Sequence, residues 1–346
     1  MASQSGASPR LSIVIPAADT EALEETLVSV LENRPVDCEI IAALAVPYAD
    51  PWNIGEEVRF MQAPPGATLV DCVNLGAATA SGEVVHILAA GWRATEGWAD
   101  AATARFADPA VAAVVPLAVA ADDRSRVVAA GVRRTAGGRS VTVGPARGGE
   151  RLAPGEAFRC EGGDPAVPLV EAGFWRADAL GSGFAKACGD RLAAADMAAL
   201  LTCSGETVVV ESSCRVVAGP GVRPASSFLE GMRAERLFWR SLAAEPLLAG
   251  LIGHIIEIAR HAVATAPLGT LPMLAGRLAT LMQFGSCLSR TRQLEAAKSR
   301  AADRARQAAA DPAERTIRID SGHALPGRPR RPDIEPGRES PLRRSA

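Results

Sequence analysis

The stretch Leu11-Ser-Ile-Val-Ile-Pro16 is a short run of apolar, largely β-branched residues, which is typical of a buried strand. After Asp19-Thr20 the apolar residues recur at helical spacing, and they are Leu23, Leu27, Val30 and Leu31. Thr20 is a candidate N-cap, because acidic residues at 21, 24 and 25 crowd the first turn that follows it. The stretch therefore predicts a strand that leads directly into a helix.

The same alternation continues through the first third of the chain. The further strand-like runs and helical patterns are, in chain order, 39–46, 58–61, 69–80, 84–88, 98–106 and 111–119. Strands that alternate with helices at this interval predict a mostly parallel, doubly wound α/β sheet with its ligand crevice at the carboxyl ends of the strands. We therefore expect the positions after Pro16, Ala43 and Leu88 to line that crevice.

The composition is that of a globular α/β protein. Of 346 residues, 48% are hydrophobic and only 4% are aromatic, which favours a helix-rich core over an aromatic-rich β-sandwich. The net charge of −2 gives no reason to expect nucleic acid as a partner. Seven scattered cysteines without a Cys-x-x-Cys pair indicate reduced thiols, and residues 1–10 lack the apolar stretch of a signal peptide. We therefore expect a cytoplasmic protein.

Three short motifs follow the first strand in a fixed order. They are Glu39-Ile-Ile41, Asn74-Leu-Gly76 and Ala80-Ser-Gly82, and the last leads into the strand that ends at Leu88. In this order and at these separations the set resembles the opening half of a family 2 glycosyltransferase, and the resemblance covers residues 11 to about 217. The resemblance implies a GT-A-like, doubly wound, mostly parallel sheet.

The resemblance also implies the ligands. They are a nucleotide-sugar donor and a saccharide, lipid or protein acceptor. Carried over onto this sequence, the implied donor-binding residues are Pro16, Ala43, Asn74, Gly76, Ala89, Gly91 and Trp92. For Trp92 two roles are open, namely stacking on a base or sugar ring, or covering the crevice as a lid residue.

Several carboxylate positions of the family pattern are neutral in this chain. The Asp-x-Asp motif that holds a divalent cation in the family falls on Ala89 and Gly91, which offer no hard oxygen ligand. The carboxylates that contact the nucleoside fall on Leu44 and Ala45. A divalent metal is expected from the family, but its ligands are absent here, so the sequence predicts no metal site.

The position of the family's general base is also occupied by a neutral residue in this chain. Its Glu-Asp-x-Asp stretch falls on Ala193-Ala-Ala-Asp196, so that Ala194 stands at the base position. We predict Asp190 and Asp196 as the catalytic carboxylates, with helix capping or surface solvation as their alternative roles. The further candidates for the base are Asp164 and Glu171.

Cationic and aromatic groups near these motifs have two possible roles each. Arg176 and Arg191 are candidates to bind a leaving phosphate in place of a metal, since a guanidinium matches phosphate oxygens bidentately; surface salt pairing is the alternative. His86 lies inside an apolar strand, which favours a core histidine over a catalytic group.

The chain is expected to divide into four parts. A flexible N-terminus at 1–10 precedes the GT-A-like domain at 11–220, and a helical appendage at 221–306 follows it. Residues 307–346 are rich in arginine and proline, and we expect this tail to be disordered.

The helical appendage carries more apolar residues than one buried stripe requires. Its apolar stretch at 246–259 is shorter than the roughly 20 residues of a membrane span, and Glu257, Arg260 and His261 are expected to close it early. We expect residues 228–282 to pack under the sheet, to rest on a membrane surface at the inner face, or to form a homo-oligomer.

Together these patterns predict a protein that transfers a sugar from a nucleotide-sugar to an unidentified acceptor. The missing carboxylates leave a second hypothesis open, in which an inactive homologue binds a nucleotide-sugar or glycan, or acts as a scaffold. A third hypothesis is a purely helical membrane adaptor.

Overall fold

The computed structural model describes residues 11–135, 137–144, 151, 166–222, 225–282 and 285–310. Asp164 and the arginine-rich tail from 311 onward lie outside these residues, and so does the N-terminus at 1–10. The chain divides into two compact units, Met1–Ala301 and Ala302–Ala346. Of the second unit, the described part is the last turns of one helix, up to Ala310.

The described strands follow the predicted pattern in the first third of the chain. They are β1 (Leu11–Ala17), β2 (Cys38–Leu44), β3 (Val58–Gln62), β4 (Val84–Leu88), β5 (Arg93–Ala94), β6 (Val111–Val119), β7 (Val127–Ala129), β8 (Val132–Arg134), β9 (Ser140–Thr142), β10 (Ala172–Arg176) and β11 (Thr207–Val217). The described helices are α1 (Thr20–Glu32), α2 (Leu69–Thr79), α3 (Asp100–Arg105), α4 (Ala177–Leu180), α5 (Gly189–Ser204), α6 (Ser227–Ser241), α7 (Leu247–Thr265), α8 (Thr270–Leu281) and α9 (Gly285–Ala310).

The central sheet is mostly parallel. Its strand order is β3-β2-β1-β4-β10-β6-β11-β5, with β7 paired to β6, while β8 and β9 form a separate hairpin. Strands β3, β2, β1 and β4 run parallel, and β10 is inserted antiparallel between β4 and β6. The predicted α/β class, a mostly parallel sheet followed by C-terminal helices, is confirmed.

Both faces of the sheet are covered, as a doubly wound architecture requires. Every residue of β1 is buried; Ile13 and Ile15 pack towards α1, whereas Val14 packs towards α2 and α5 on the other face. This alternation follows from the two-residue period of a strand. His86, in the middle of β4, is fully buried between the rings of Trp98 and Phe174, as the sequence predicts.

The appendage packs through glycines and one buried charge cluster. A Cβ atom at Gly276 of α8 would overlap the carbonyl oxygen of Phe228 in α6, so the two helices approach closely only because no side chain is present there. Beside this contact the buried Glu235 carboxylate pairs with Arg277, whose Nη1 lies 2.8 Å away, and with His254 at 3.2 Å. Helices α6, α7 and α8 of the appendage are therefore a packed part of the first unit.

Helix α7 is longer than the sequence predicts. It continues through Glu257, Arg260 and His261 to Thr265, so the expectation that these residues end the segment early is wrong. They lie on one side of the helix, where they face a cavity, and therefore do not interrupt it. Within the described residues, α7 is the one helix that is long and apolar enough to cross a bilayer by length and composition, and 11% of its most apolar window is buried.

Candidate active site

A cavity of about 230 Å³ lies where β10 begins, between the β8–β9 hairpin and the start of α5. Its polar lining consists of two carboxylates, one guanidinium and two hydroxyls: Glu171, Asp190, Arg191, Ser140 and Thr142. Ala194 also lines it. The cavity thus contains the position that the family resemblance gives to the general base, occupied here by a methyl group.

Glu171 is placed by the antiparallel insertion of β10. It immediately precedes β10, whose first residue, Ala172, pairs with Leu88 at the end of β4. The backbone carbonyl of Glu171 accepts a 2.8 Å hydrogen bond from the N–H of Ala89. The backbone of Glu171 therefore lies beside the end of β4, next to the segment on which the Asp-x-Asp motif of the resemblance falls.

The environment of Glu171 makes its carboxylate more basic than an exposed one. Burial raises the pKa of its carboxyl group most, and the negative charge of Asp190 raises it further, against a hydrogen bond from the backbone of Val222. A carboxylate whose pKa is raised is a better proton acceptor for a hydroxyl group than an exposed one. Glu171 therefore has the electrostatic setting of a general base.

Asp190 is held at the start of α5. One of its carboxylate oxygens, Oδ1, accepts a 3.0 Å hydrogen bond from the N–H of Val70 in the first turn of α2, where helical N–H groups have no partner of their own. Residues 190 and 194 lie one helical turn apart on the same side of α5, and both line the cavity. Asp190 therefore brings a carboxylate to the cavity one turn before the position that Ala194 leaves neutral.

Of the two candidate phosphate-binding arginines, only one lines the cavity. Arg176 is occupied elsewhere, because its guanidinium donates to the backbone carbonyls of Val111, Phe106 and Asp108. Arg191 is exposed at the rim of the cavity, with its Nη1 3.2 Å from Oε2 of Glu230. An exposed pair of this kind is worth about 1 kcal/mol or less, so Arg191 can turn towards an anionic ligand at little cost.

Asp196 lies outside the cavity, in a buried ion-pair cluster. Its Oδ1 is 2.8 Å from Nε of Arg240, and its Oδ2 is 2.8 Å from Nη2 of Arg290. The carboxylate is almost fully buried, so no substrate reaches it. The structure therefore assigns Asp196 to anchoring α6 and α9 on α5 instead of the predicted catalytic role.

Asn74 and Gly76 also lie away from the cavity lining. The Asn74 amide donates to the carbonyl of Phe184 at 2.9 Å, and its Oδ1 accepts from the N–H of the same residue at 2.8 Å. At Gly76 a Cβ atom would overlap Cγ1 of Val14, so glycine lets α2 rest directly on β1. In the structure both residues join elements of the fold, and their predicted donor contacts remain predictions.

The remaining predicted donor-binding residues lie at the end of the sheet, where all but the half-buried Gly91 are buried. Ala43 is fully buried, and the carbonyl of Pro16 accepts a 3.0 Å hydrogen bond from the N–H of Ala90. Gly91 has φ +87°, and Trp92 as a residue is only 4% exposed. A buried indole offers no face to a base or sugar ring. Of the two roles open for Trp92, the structure therefore corrects the expectation of stacking. The predicted donor-binding set is, in full, Pro16, Ala43, Asn74, Gly76, Ala89, Gly91 and Trp92.

The residues at the end of β4 do not suit a divalent cation. Hard cations need several carboxylate or carbonyl oxygens, whereas Ala89 and Gly91 supply no side-chain oxygen. In the part of the chain that the structure describes, no group of three or more His, Cys, Asp or Glu side chains is close enough to hold a metal ion.

Sequence reasoning missed the hydroxyls of the cavity and gave Glu171 only a minor place. Ser140 and Thr142 lie on β9, in a glycine-rich region whose short strands show weak periodicity. The local sequence around Glu171 carries no motif; its position depends on the pairing of β10 with β4, about 85 residues earlier in the chain.

No protein-family model matches the sequence, and no curated protein matches it. Solved structures do align with the fold. A mannosyltransferase, PcManGT from Pyrobaculum calidifontis, solved with GDP-Man and Mn²⁺, aligns with a TM-score of 0.46 and 15% identity over 86% of this chain and 88% of its own. GalNAc-T7, solved with UDP, GalNAc and Mn²⁺, aligns with a TM-score of 0.46 and 14% identity over 73% of this chain and 55% of its own. At these values the alignments identify no site residue.

Proposed function

We propose that this protein transfers a sugar from a nucleotide-sugar to the hydroxyl group of an acceptor, with Glu171 as the general base. The observation that carries the proposal is the pair of carboxylates, Glu171 and Asp190, which line one cavity at the end of β4. The motif order of residues 11–88 supports a nucleotide-sugar as the donor.

In this proposal the acceptor oxygen attacks the anomeric carbon of the donor sugar and Glu171 removes its proton. The bond between the anomeric carbon and the diphosphate oxygen breaks, and the nucleoside diphosphate leaves with the bonding electrons. Arg191 faces the developing negative charge on the diphosphate, because a guanidinium binds phosphate oxygens in a planar, bidentate geometry. Asp190 positions the acceptor and keeps the Glu171 carboxyl basic.

No metal enters this proposal, since Ala89 and Gly91 at the end of β4 supply no side-chain oxygen and the described residues form no metal-binding group. The test is a panel of nucleotide-sugars measured for binding by calorimetry and for turnover, each with manganese and with EDTA. We expect one donor to bind with equal affinity in both conditions, because no paired carboxylates hold an ion against the diphosphate. A large manganese-dependent gain in affinity would contradict the proposal.

The rival hypothesis, an inactive nucleotide-sugar or glycan binder, draws on one observation. The cavity position that the resemblance gives to the base carries Ala194, a residue that cannot accept a proton. The same panel separates the two hypotheses: donor binding without turnover over a wide range of acceptors supports the binder, whereas turnover excludes it.

We also propose that the protein acts in a reducing cytoplasm, at the inner face of a membrane. The six cysteines in the described residues are free thiols, which suits that compartment. The apolar helices α7 and α8 supply the surface for membrane attachment.

A further inference from the structure

A second cavity, of about 330 Å³, lies next to the candidate active site, and we call it the arginine cavity. It is enclosed by the loop after β8 and by the starts or sides of α5, α6, α7 and α8. Ser140, Arg191 and Leu192 line both cavities, so the two are neighbours. Among the residues described, none of β1 to β4 lines the arginine cavity, so this cavity does not include the expected donor crevice after Pro16, Ala43 and Leu88.

The arginine cavity carries a surplus of positive charge. Four arginines line it, namely Arg139, Arg191, Arg260 and Arg277. Three of these arginines form ion pairs with glutamates: Glu257 lies 3.9 Å from Arg139, Glu230 lies 3.2 Å from Arg191, and the buried Glu235 lies 2.8 Å from Arg277. Arg260 forms no ion pair within the described residues, so four positive charges against three negative ones leave one charge unbalanced.

A histidine in the same wall adds a neutral donor. Nη2 of Arg277 donates to Nδ1 of His261 at 3.1 Å, and because a guanidinium only donates, Nδ1 must carry its lone pair. The ring hydrogen is then on Nε2. Burial, followed by the charge of Arg277, lowers the pKa of His261 and keeps the ring neutral.

The wall of the arginine cavity is fixed by close backbone contacts. Gly138 has φ +82°, and a Cβ atom there would lie 2.8 Å from Cα of Phe238 in α6. A Cβ at Gly137 would overlap the carbonyl oxygen of Gly253 in α7. Because these two glycines lack a side chain, the loop after β8 packs directly on the helices. This contact places the neighbouring Arg139 in the cavity.

We propose that the arginine cavity binds the phosphate group of a phosphorylated acceptor. Guanidinium groups with loose or missing partners are the side chains that best match phosphate oxygens, and Arg139 and Arg260 are of this kind. A phosphate held there leaves the rest of the molecule to extend past Ser140 and Arg191 to Glu171 and Asp190. The assignment as an acceptor rests on the proposed function, whereas the phosphate site does not.

The test uses the full chain and two probes, inorganic phosphate and hexyl phosphate, in titration calorimetry. We expect both probes to bind, and Arg260→Gln and Arg139→Gln each to weaken binding about ten-fold or more, the cost of one charge-assisted hydrogen bond. Arg292→Gln is the matched control, since this arginine is exposed on α9 and lines neither cavity. Failure of both probes to bind, or equal binding by Arg260→Gln and the control, would overturn the proposal.

Competition with UDP and GDP then separates the acceptor from the donor. We expect a nucleotide and hexyl phosphate to bind at the same time. Arg260→Gln should then lower the affinity for hexyl phosphate and leave the affinity for the nucleotide unchanged. If the nucleotide displaces hexyl phosphate and loses affinity equally in Arg260→Gln, the cavity holds the donor diphosphate and the acceptor assignment is wrong. If no nucleotide binds while hexyl phosphate still depends on Arg260, the proposed function fails and the phosphate site stands.

Discussion

At the scale of single residues, the most informative difference concerns two aspartates on one helix. Asp190 and Asp196 are six residues apart on α5, so they point to different sides of it. Asp190 lines the cavity, whereas Asp196 is buried between Arg240 and Arg290. The sequence predicted both as catalytic because it showed only that they were acidic and near the motif; the arginine partners lie 44 and 94 residues further on.

Asp196→Asn is expected to lower the free energy of unfolding by about 3 kcal/mol, because it leaves two buried guanidinium groups without their anion. Urea denaturation of the purified variant measures this change. Asp100→Asn, at an exposed aspartate on α3, is the control and should change stability by less than about 0.5 kcal/mol. Wild-type stability in Asp196→Asn together with lost turnover would return Asp196 to the catalytic set.

At the scale of elements, the strands and helices up to β6, apart from the two-residue β5, were predictable because their signals are local. An apolar run of β-branched residues predicts a strand wherever it pairs, and the predicted helix at 69–80 is α2 at Leu69–Thr79. The candidate site was less predictable, because it is assembled by pairings between distant segments. Strand β10 carries Glu171 to the end of β4 only by inserting antiparallel between β4 and β6, and no local pattern specifies that pairing.

The packing of α6 on α8 gives a prediction at the same scale. Gly276→Ala should destabilise the protein by about 1–3 kcal/mol, because the new methyl group would overlap the Phe228 carbonyl and force the helices apart. Thermal unfolding is the measurement, and Gly285→Ala is the matched control, since a Cβ there meets no atom within 4 Å. If helix propensity dominated instead, both alanines would stabilise the protein equally.

At the scale of the whole molecule, the exposed apolar face of the appendage is the main unexplained surface. Helices α7 and α8 expose large apolar side chains that include Leu248, Ile255, Val263, Leu271 and Leu278. Apolar patches of this extent are uncommon on soluble monomers and mark surfaces that another phase or molecule covers. We propose that an anionic bilayer covers this face, since α7 combines an exposed apolar side with Arg260 close to it.

Co-sedimentation with vesicles that contain anionic lipid tests this attachment. We expect the wild-type protein to bind the vesicles and a carbonate wash to release it, because the apolar face lies on the surface and does not span the bilayer. Ile255→Glu should reduce binding at least about ten-fold, as a charge in the interface costs more than 1.4 kcal/mol. Val28→Glu, at an exposed valine on α1, is the control. Extraction by detergent alone, or a concentration-dependent dimer that masks Ile255, would contradict peripheral attachment.

The central claim is that Glu171 removes the proton from the acceptor in a reaction that needs no metal. Its most direct test is the turnover number of Glu171→Gln with the donor and acceptor of the wild-type enzyme, measured in EDTA. We predict a loss of about 10² or more with unchanged donor affinity, because glutamine keeps the size of the side chain and cannot accept a proton. Glu56→Gln, at an exposed glutamate, should leave turnover unchanged. Turnover in Glu171→Gln equal to that of the wild type would show that the base lies elsewhere.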